Sequence, residues 1–188
     1  MTQEEVVGRV VDALEGLGVA YMVAGSFASN FHGVPRMTQD ADLVVEIDER
    51  GVLGLVRALE NDFYVSEEAA REAVRLRRLF NAIHLATGFK VDLVVKKDRP
   101  FSDAELARRT RGMLAGRPVS FASAEDTILT KLEWARDAGS DRQLSDALGI
   151  IQIQGGSLDW PYLEKWADDL GVRDALENAR RGAGSSST

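Results

Sequence analysis

Cysteine is absent from this chain of 188 residues, and histidine occurs only twice, at His32 and His84. The first absence excludes disulfides, thiolate metal sites, iron–sulfur clusters and a cysteine nucleophile. The second leaves too few imidazoles for a histidine-rich zinc site. No apolar run approaches the roughly 20 residues that a membrane-spanning helix needs. The first residues, Met1-Thr-Gln-Glu-Glu5, are acidic where a signal peptide is basic and then apolar. These absences point to a soluble protein of a reducing cytoplasm with no membrane partner. An excess of positive charge is missing as well: 23 Lys and Arg stand against 30 Asp and Glu, a net charge of −7. Taken whole, that balance disfavours a protein that coats nucleic acid non-specifically.

What is present suits a globular domain, with 45% hydrophobic and 28% charged residues. The charge is unevenly spread. Residues 71–117 hold twelve Lys and Arg and five Asp and Glu, so the middle is basic and both flanks are acidic. Arg71, Arg75, Arg77 and Arg78 are followed by Arg108, Arg109, Arg111 and Arg117. Such runs are usually a solvated face, and the alternative is a patch that recruits a polyanion.

Thr2 and Glu5 form a capping box ahead of Val6, Val7, Val10, Val11, Leu14 and Leu17, which share one helix face. Val19 to Ala24 reads as a buried strand, and Gly25-Ser26 turns into a short helix that Gly33 and Pro35 end. Asp40 to Ile47 reads as a second strand and Asp48 caps the following helix. Residues 63–66 are a short strand candidate and 67–78 a helix. Residues 81–86 and 89–95 form a hairpin candidate. With Thr87-Gly88 as a two-residue turn, His84 pairs with Val91 and faces away from Asp92. A short helix starts at Ser102 or Asp103, and Pro118 to Phe121 reads as a last strand. From Ser123 onward the periodicity is helical. Trp134, Trp160 and Trp166 stand among apolar neighbours and read as core. The expected organisation is an α/β (α+β) core over residues 1–121, a helical segment over 122–181 and a Gly/Ser-rich disordered tail over 182–188.

The chemistry begins with Asp40 and Asp42, at i and i+2 on one strand face, roughly 7 Å apart. Two carboxylates so held repel each other, and a divalent cation relieves the cost. Oxygen ligands of this kind select Mg²⁺ or Mn²⁺. Asp92 is a third acid, set inside the apolar run Phe89-Lys-Val-Asp-Leu-Val-Val95. A D-x-D alone is a common accident. Here it accompanies Gly25-Ser26, where glycine allows close approach of an anion and a helix N-terminus offers N–H donors. Arg36 and Thr38 add a guanidinium and a hydroxyl. Together these are parts that phosphoryl-group chemistry uses. There is no G-x-x-x-x-G-K-[ST], so a P-loop enzyme is not supported.

Gly25-Ser26, then Asp40-x-Asp42, then Asp92 resembles the polymerase β-type nucleotidyltransferase superfamily. The string Ala24-Gly-Ser-Phe-Ala-Ser-Asn-Phe-His-Gly33, followed by Arg36-x-Thr38-x-Asp40-x-Asp42, is similar to small bacterial nucleotidyltransferases, including those of abortive-infection and toxin–antitoxin type. The resemblance covers about residues 1–100 and implies a mixed sheet flanked by helices. It implies a triphosphate held by Gly25 and Ser26, and Mg²⁺ or Mn²⁺ held by Asp40, Asp42 and Asp92, with Asp92 also helping to deprotonate an acceptor hydroxyl. Arg36 and Thr38 are assigned to phosphate or to orienting the aspartates. Lys131 either reaches the triphosphate or is an exposed helix lysine. Asp141 and Asp146 read as helix-surface acids, with support of the site residues as the alternative, and His32 as a structural residue of its turn, with contact to the nucleotide as the alternative. The implied activity is transfer of a nucleoside monophosphate from an NTP such as ATP to a hydroxyl of a protein, an RNA 3′ end or a small molecule. The implied setting includes a toxin or antitoxin partner. A non-catalytic nucleotide- or partner-binding protein on the same fold is the alternative, and a metal-dependent phosphatase or nuclease is a further one.

Overall fold

The computed structural model describes residues 1–185. It divides into two compact units, one formed by residues 1–24 and 38–121, the other by residues 25–37 and 122 onward.

The first unit holds a seven-stranded mixed sheet. The strands are β1 (Ala20–Ala24), β2 (Asp40–Glu46), β3 (Phe63–Tyr64), β4 (Leu79–His84), β5 (Lys90–Val95), β6 (Thr110–Leu114) and β7 (Arg117–Phe121), in spatial order β3-β4-β5-β2-β1-β7-β6. At its centre β2 runs antiparallel to β1 and parallel to β5. The helices of this unit are α1 (Gln3–Gly16), α3 (Glu49–Leu59), α4 (Glu67–Leu76) and α5 (Pro100–Ala107). The capping box forms as expected: Glu5 N–H donates to Thr2 Oγ1 at 3.2 Å and Thr2 N–H donates to Glu5 Oε2 at 2.7 Å. Asp48 and Ser66 cap α3 and α4 with their side chains, accepting from Gly51 and Ala69 N–H. Alternation along the strands decides which face is covered. Ala41, Leu43 and Val45 of β2, Val91, Leu93 and Val95 of β5, and Phe80 and Ala82 of β4 are buried, as are Val6, Val10 and Leu14 of α1 and Val52 and Leu55 of α3. The other face carries Asp40, Asp42, Lys90 and Asp92.

Two details depart from the sequence expectation. Thr110–Leu114 is a strand, paired antiparallel to β7 through the Ala115-Gly116 turn, where no strand was expected. The β4–β5 connection has four residues, 85–88, because His84 pairs with Phe89: His84 N–H donates to Phe89 O at 2.9 Å. Thr87 Oγ1 closes the loop, 2.8 Å from His84 Nδ1 and accepting from Phe89 N–H at 3.3 Å. The register therefore slides by two residues, which puts Asn81 opposite Asp92. An even slip keeps every side chain on its face, so His84 still points away from Asp92 and packs its ring 5.2 Å from that of Phe63.

The second unit is helical: α2 (Gly25–His32), α6 (Ala124–Ala138), α7 (Asp141–Gln154), a 3₁₀ turn at Gly155–Ser157, α8 (Trp160–Asp169) and α9 (Arg173–Ser185). Ser123 caps α6 and Asp159 caps α8. Ile128, Leu129 and Leu132 of α6, Ala147, Ile150 and Ile151 of α7, Leu163 of α8 and Leu176 of α9 form its core. Gly33 follows α2 where a Cβ would lie 2.9 Å from the backbone nitrogen of Ile150, so only glycine fits against α7 there. Trp166 is buried, whereas Trp134 and Trp160 are half-buried, with Lys131 and Arg180 over their rings at 6.0 and 4.0 Å.

One unit boundary falls after Phe121, but residues 25–37 also belong to the helical unit. Helix α9 extends over 182–185, residues assigned from sequence to the tail, and 186–188 lie outside the described residues. No helix among the described residues is long and apolar enough to cross a membrane.

Candidate functional site

The acids of the sheet unit stand on two neighbouring parallel strands in matching register. Asp40 of β2 lies opposite Lys90 of β5, and Asp42 lies opposite Asp92. The alternation that buries Ala41, Leu43, Val91 and Leu93 turns all four side chains to the other face. The result is a two-by-two array: D-x-D beside K-x-D, with strands about 4.8 Å apart and residues two apart separated by roughly 7 Å. Asn81 on β4 extends the array and donates to Asp92 Oδ1 at 2.5 Å. Lys90 Nζ lies 3.1 Å from Asp92 Oδ2 and 4.0 Å from Asp40 Oδ2. Thr38 Oγ1, 3.0 Å from the backbone oxygen of Asp40 and 3.3 Å from its Oδ1, orients the first aspartate from the preceding loop. The Asp92 side chain is 11% exposed, against 44% for Asp40.

The donor set suits a hard divalent cation, since the three carboxylates share one sheet face and two of them are register partners. They are not already gathered around one point: among the described residues no three acids or histidines stand close enough to hold a metal ion. An ammonium, that of Lys90, stands between two of them instead. A pocket of about 280 Å³ opens beside the same strand starts, lined by Thr2, Gln3, Gln39 and Phe89 among others. Gln39 and Phe89 alternate with Asp40 and Lys90, so this pocket belongs to the opposite side of the sheet.

The helical unit holds a second polar cluster. Gly25 begins α2 with φ at +56°, a conformation that only glycine adopts cheaply. A side chain there is strained by about 1–2 kcal/mol. Gly25→Ala is therefore expected to destabilise the protein by about that much, read as a lower urea midpoint; an unchanged midpoint would show that the turn does not depend on glycine.

Ser26 is buried, and its Oγ accepts from Arg36 Nη2 at 2.8 Å. The same guanidinium grips Asp146 bidentately, Nε to Oδ1 and Nη2 to Oδ2, both at 2.8 Å. Lys131 Nζ also donates to Asp146 Oδ2 at 2.8 Å. Asn30 fixes the Arg36 backbone from both sides, accepting from its N–H at 3.0 Å and donating to its carbonyl at 2.7 Å. Burial pushes the Asp146 carboxyl up, but the hydrogen bonds and charges of Arg36 and Lys131 outweigh it and hold the carboxyl below the ordinary range. Arg36 brings positive charge to Ser26 in the first turn of α2, where N–H groups also favour anions.

Several sequence assignments change on this geometry. Lys131 is not an exposed helix lysine, because its side chain is 2% exposed. Asp146 is not a surface acid but the centre of a buried ion cluster. Arg36 binds Ser26 and Asp146, while Thr38 orients Asp40. Asp141 is exposed. His32 is structural, with Nε2 2.7 Å from the carbonyl of Ala122, and burial lowers its pKa. Asn81 and Lys90 had gone unassigned; the signal for Lys90 was its place two residues before Asp92, which puts both on one strand face.

Four of the arginines of residues 71–117 answer to nearby acids. Arg71 pairs with Glu67 and Glu49, Arg77 with Asp98, Arg111 with Glu15 and Arg117 with Asp12. Arg78 joins the Val95 end of β5, and Arg77 lines a pocket with Glu46 and Ile47 at the far end of β2. Both stand at the opposite ends of these strands from Asp40 and Lys90, which favours a solvated face over a patch serving the acids.

No protein-family model matches the chain, and no curated protein matches it. Solved structures do. An antigenic nucleotidyltransferase-like protein from Paracoccidioides brasiliensis is 20% identical, over 95% of this chain and 91% of that one, with a TM-score of 0.60. ANT(2'')-Ia, in complex with adenylyl-2''-tobramycin, is 19% identical over 92% of this chain and 99% of that one, with a TM-score of 0.61. The lincosamide antibiotic adenylyltransferase LnuA, with lincomycin bound, is 13% identical over 81% of this chain and 98% of that one, with a TM-score of 0.53. At such identities the likeness is one of fold. The chain has the nucleotidyltransferase fold, the α+β architecture anticipated from Gly25-Ser26 and the three aspartates.

Proposed function

We propose that this nucleotidyltransferase fold transfers a nucleoside monophosphate from an NTP to an acceptor hydroxyl and releases pyrophosphate. The observation that supports it most is the register of the central strands: Asp42 opposite Asp92, with Asp40 two residues away on the same face. Asp40, Asp42 and Asp92 would hold Mg²⁺ or Mn²⁺, which neutralises the triphosphate and the charge that develops on the leaving pyrophosphate. Asp92 also takes the acceptor hydroxyl's proton as its oxygen bonds to the α-phosphorus and the bond from that phosphorus to the bridging oxygen breaks. Asn81 keeps the Asp92 carboxylate oriented, and Thr38 does the same for Asp40.

Gly25 and Ser26 are assigned to the triphosphate, with the open φ of Gly25 and the first N–H groups of α2 as donors. Arg36 supplies positive charge beside Ser26. Lys131 acts through Asp146, to which its ammonium is bonded, and so holds Arg36 in place.

The acceptor is a hydroxyl of a small molecule, an RNA 3′ end or a protein. The antibiotic-modifying matches extend over most of this chain, which makes a hydroxylated small molecule the first class to test. A toxin–antitoxin or phage-defence setting rests on the string from Ala24 to Asp42. The test is pyrophosphate release from each of the four NTPs with Mg²⁺, with one acceptor class added at a time. Release that depends on acceptor and metal is the expected result. Nucleotide binding without release for any acceptor would favour the non-catalytic alternative.

A further inference from the structure

We infer that Lys90 is a tethered cation that occupies the carboxylate array when no metal is bound and that a divalent ion must displace it. This rests on the reading of Asp40, Asp42 and Asp92 as cation ligands.

The array has four corners, three negative and one positive. Lys90 is the register partner of Asp40 and stands two residues before Asp92, so one side chain reaches a carboxylate on each strand. Its Nζ is 3.1 Å from Asp92 Oδ2 and 4.0 Å from Asp40 Oδ2. Asn81 holds the other oxygen of Asp92, which leaves Oδ2 turned to the lysine.

An exposed ion pair on a sheet contributes little by itself. This pair differs because Asp92 is nearly buried, and a carboxylate withdrawn from water needs a compensating charge. Lys90 provides that charge in the absence of metal. Its side chain is 41% exposed on an unbranched stem, so it can swing into solvent when a divalent ion takes over the neutralising role.

A lysine in this position raises the concentration of metal needed to fill the array and keeps the metal-free sheet face from repelling itself. It works against a bare ion. A metal that arrives with a nucleotide triphosphate brings anionic oxygens to which the released ammonium can turn.

The test is Mn²⁺ binding to the nucleotide-free protein, followed by the electron paramagnetic resonance of the free ion, together with melting temperature with and without Mn²⁺. Removing a like charge about 4 Å from a cation site is expected to tighten binding by about tenfold. Lys90→Met, which keeps the length of the stem, should therefore bind Mn²⁺ about tenfold tighter than wild type, melt lower without metal and gain more from added Mn²⁺. Lys90→Arg keeps the charge and should bind as wild type does. The inference is overturned if Lys90→Met binds Mn²⁺ no tighter than wild type, if its metal-free melting temperature does not fall, or if neither protein binds Mn²⁺. Asp42→Asn separates the two levels of the claim. If it abolishes Mn²⁺ binding while Lys90→Met changes nothing, only the role of Lys90 fails. If it leaves Mn²⁺ binding unaltered, the carboxylate assignment fails.

Discussion

Asp42→Asn is expected to lower nucleotidyl transfer by about a thousandfold while leaving the fold intact. Charge stabilisation through a bound divalent ion is worth several kcal/mol in a phosphoryl-transfer transition state, and about 4 kcal/mol corresponds to three orders of magnitude in rate. The amide has nearly the carboxylate's shape and stays on the same face of β2, opposite Asp92 and beside Ala24. Its loss is therefore one of charge and metal affinity rather than of packing. Asp40→Ala should behave alike, because it removes the other half of the D-x-D pair. Initial rates at saturating NTP and Mg²⁺, with melting temperature as the control for folding, check the expectation. Full activity in either variant would remove these acids from the mechanism.

Asp146→Ala is expected to produce the largest loss of stability. Asp146 accepts from both Arg36 and Lys131, and its side chain and that of Lys131 are 7% and 2% exposed. Deleting the carboxylate removes the shared acceptor of two cations, one of them buried. Breaking a buried ion pair in this way typically costs about 3–5 kcal/mol, a large share of the stability of an ordinary domain. Part of the loss comes from a buried ammonium deprived of this carboxylate, so Lys131→Met added to Asp146→Ala should recover stability rather than lose more. Equilibrium denaturation of the single and double variants measures this. If the double variant were less stable by the sum of two independent losses, the cluster would not act as one unit.

The same carboxylate has a pH signature. Its folded-state pKa is depressed, so its contribution to stability is fully present above the unfolded value of about 3.9. That contribution is lost as pH falls through the lower folded value. The wild-type advantage over Asp146→Asn should thus hold near neutral pH and shrink only in strong acid.

Much of the fold was readable because its local signals agree with one another. The Thr2–Glu5 capping box, the valine stripe of α1 and the alternation of β2 each carry their meaning within a few residues. Gly25 stands out in the sequence for the close approach it allows an anion, and its φ of +56° is a second need for glycine that only the structure shows. The strand β6 escaped because Thr110-Arg-Gly-Met-Leu114 has weak alternation and becomes a strand through pairing with β7. The β4–β5 register escaped because the bonds of Thr87 with His84 and Phe89 lengthen a turn that looked two residues long.

The candidate site divides along the same line. That Asp40, Asp42 and Asp92 lie on strands follows from local pattern. That Asp42 stands beside Asp92, and Lys90 beside Asp40, depends on the parallel pairing of residues fifty positions apart, which no local pattern reveals. Asp146 shows the limit most clearly. On the helix Asp141–Gln154 it looks like one more acid near a helix start, and only its contact with Arg36, 110 residues away in sequence, makes it the centre of a cluster.

The most direct test of the central claim follows two radiolabels through the reaction. The protein is incubated with Mg²⁺ and an acceptor, and with NTP labelled either at the α- or at the γ-phosphorus. Nucleotidyl transfer predicts that the α label becomes attached to the acceptor and the γ label leaves in pyrophosphate, with both outcomes lost in Asp42→Asn. Transfer of the γ label to the acceptor, or its release as inorganic phosphate while the α label stays in a nucleoside diphosphate, would contradict the account.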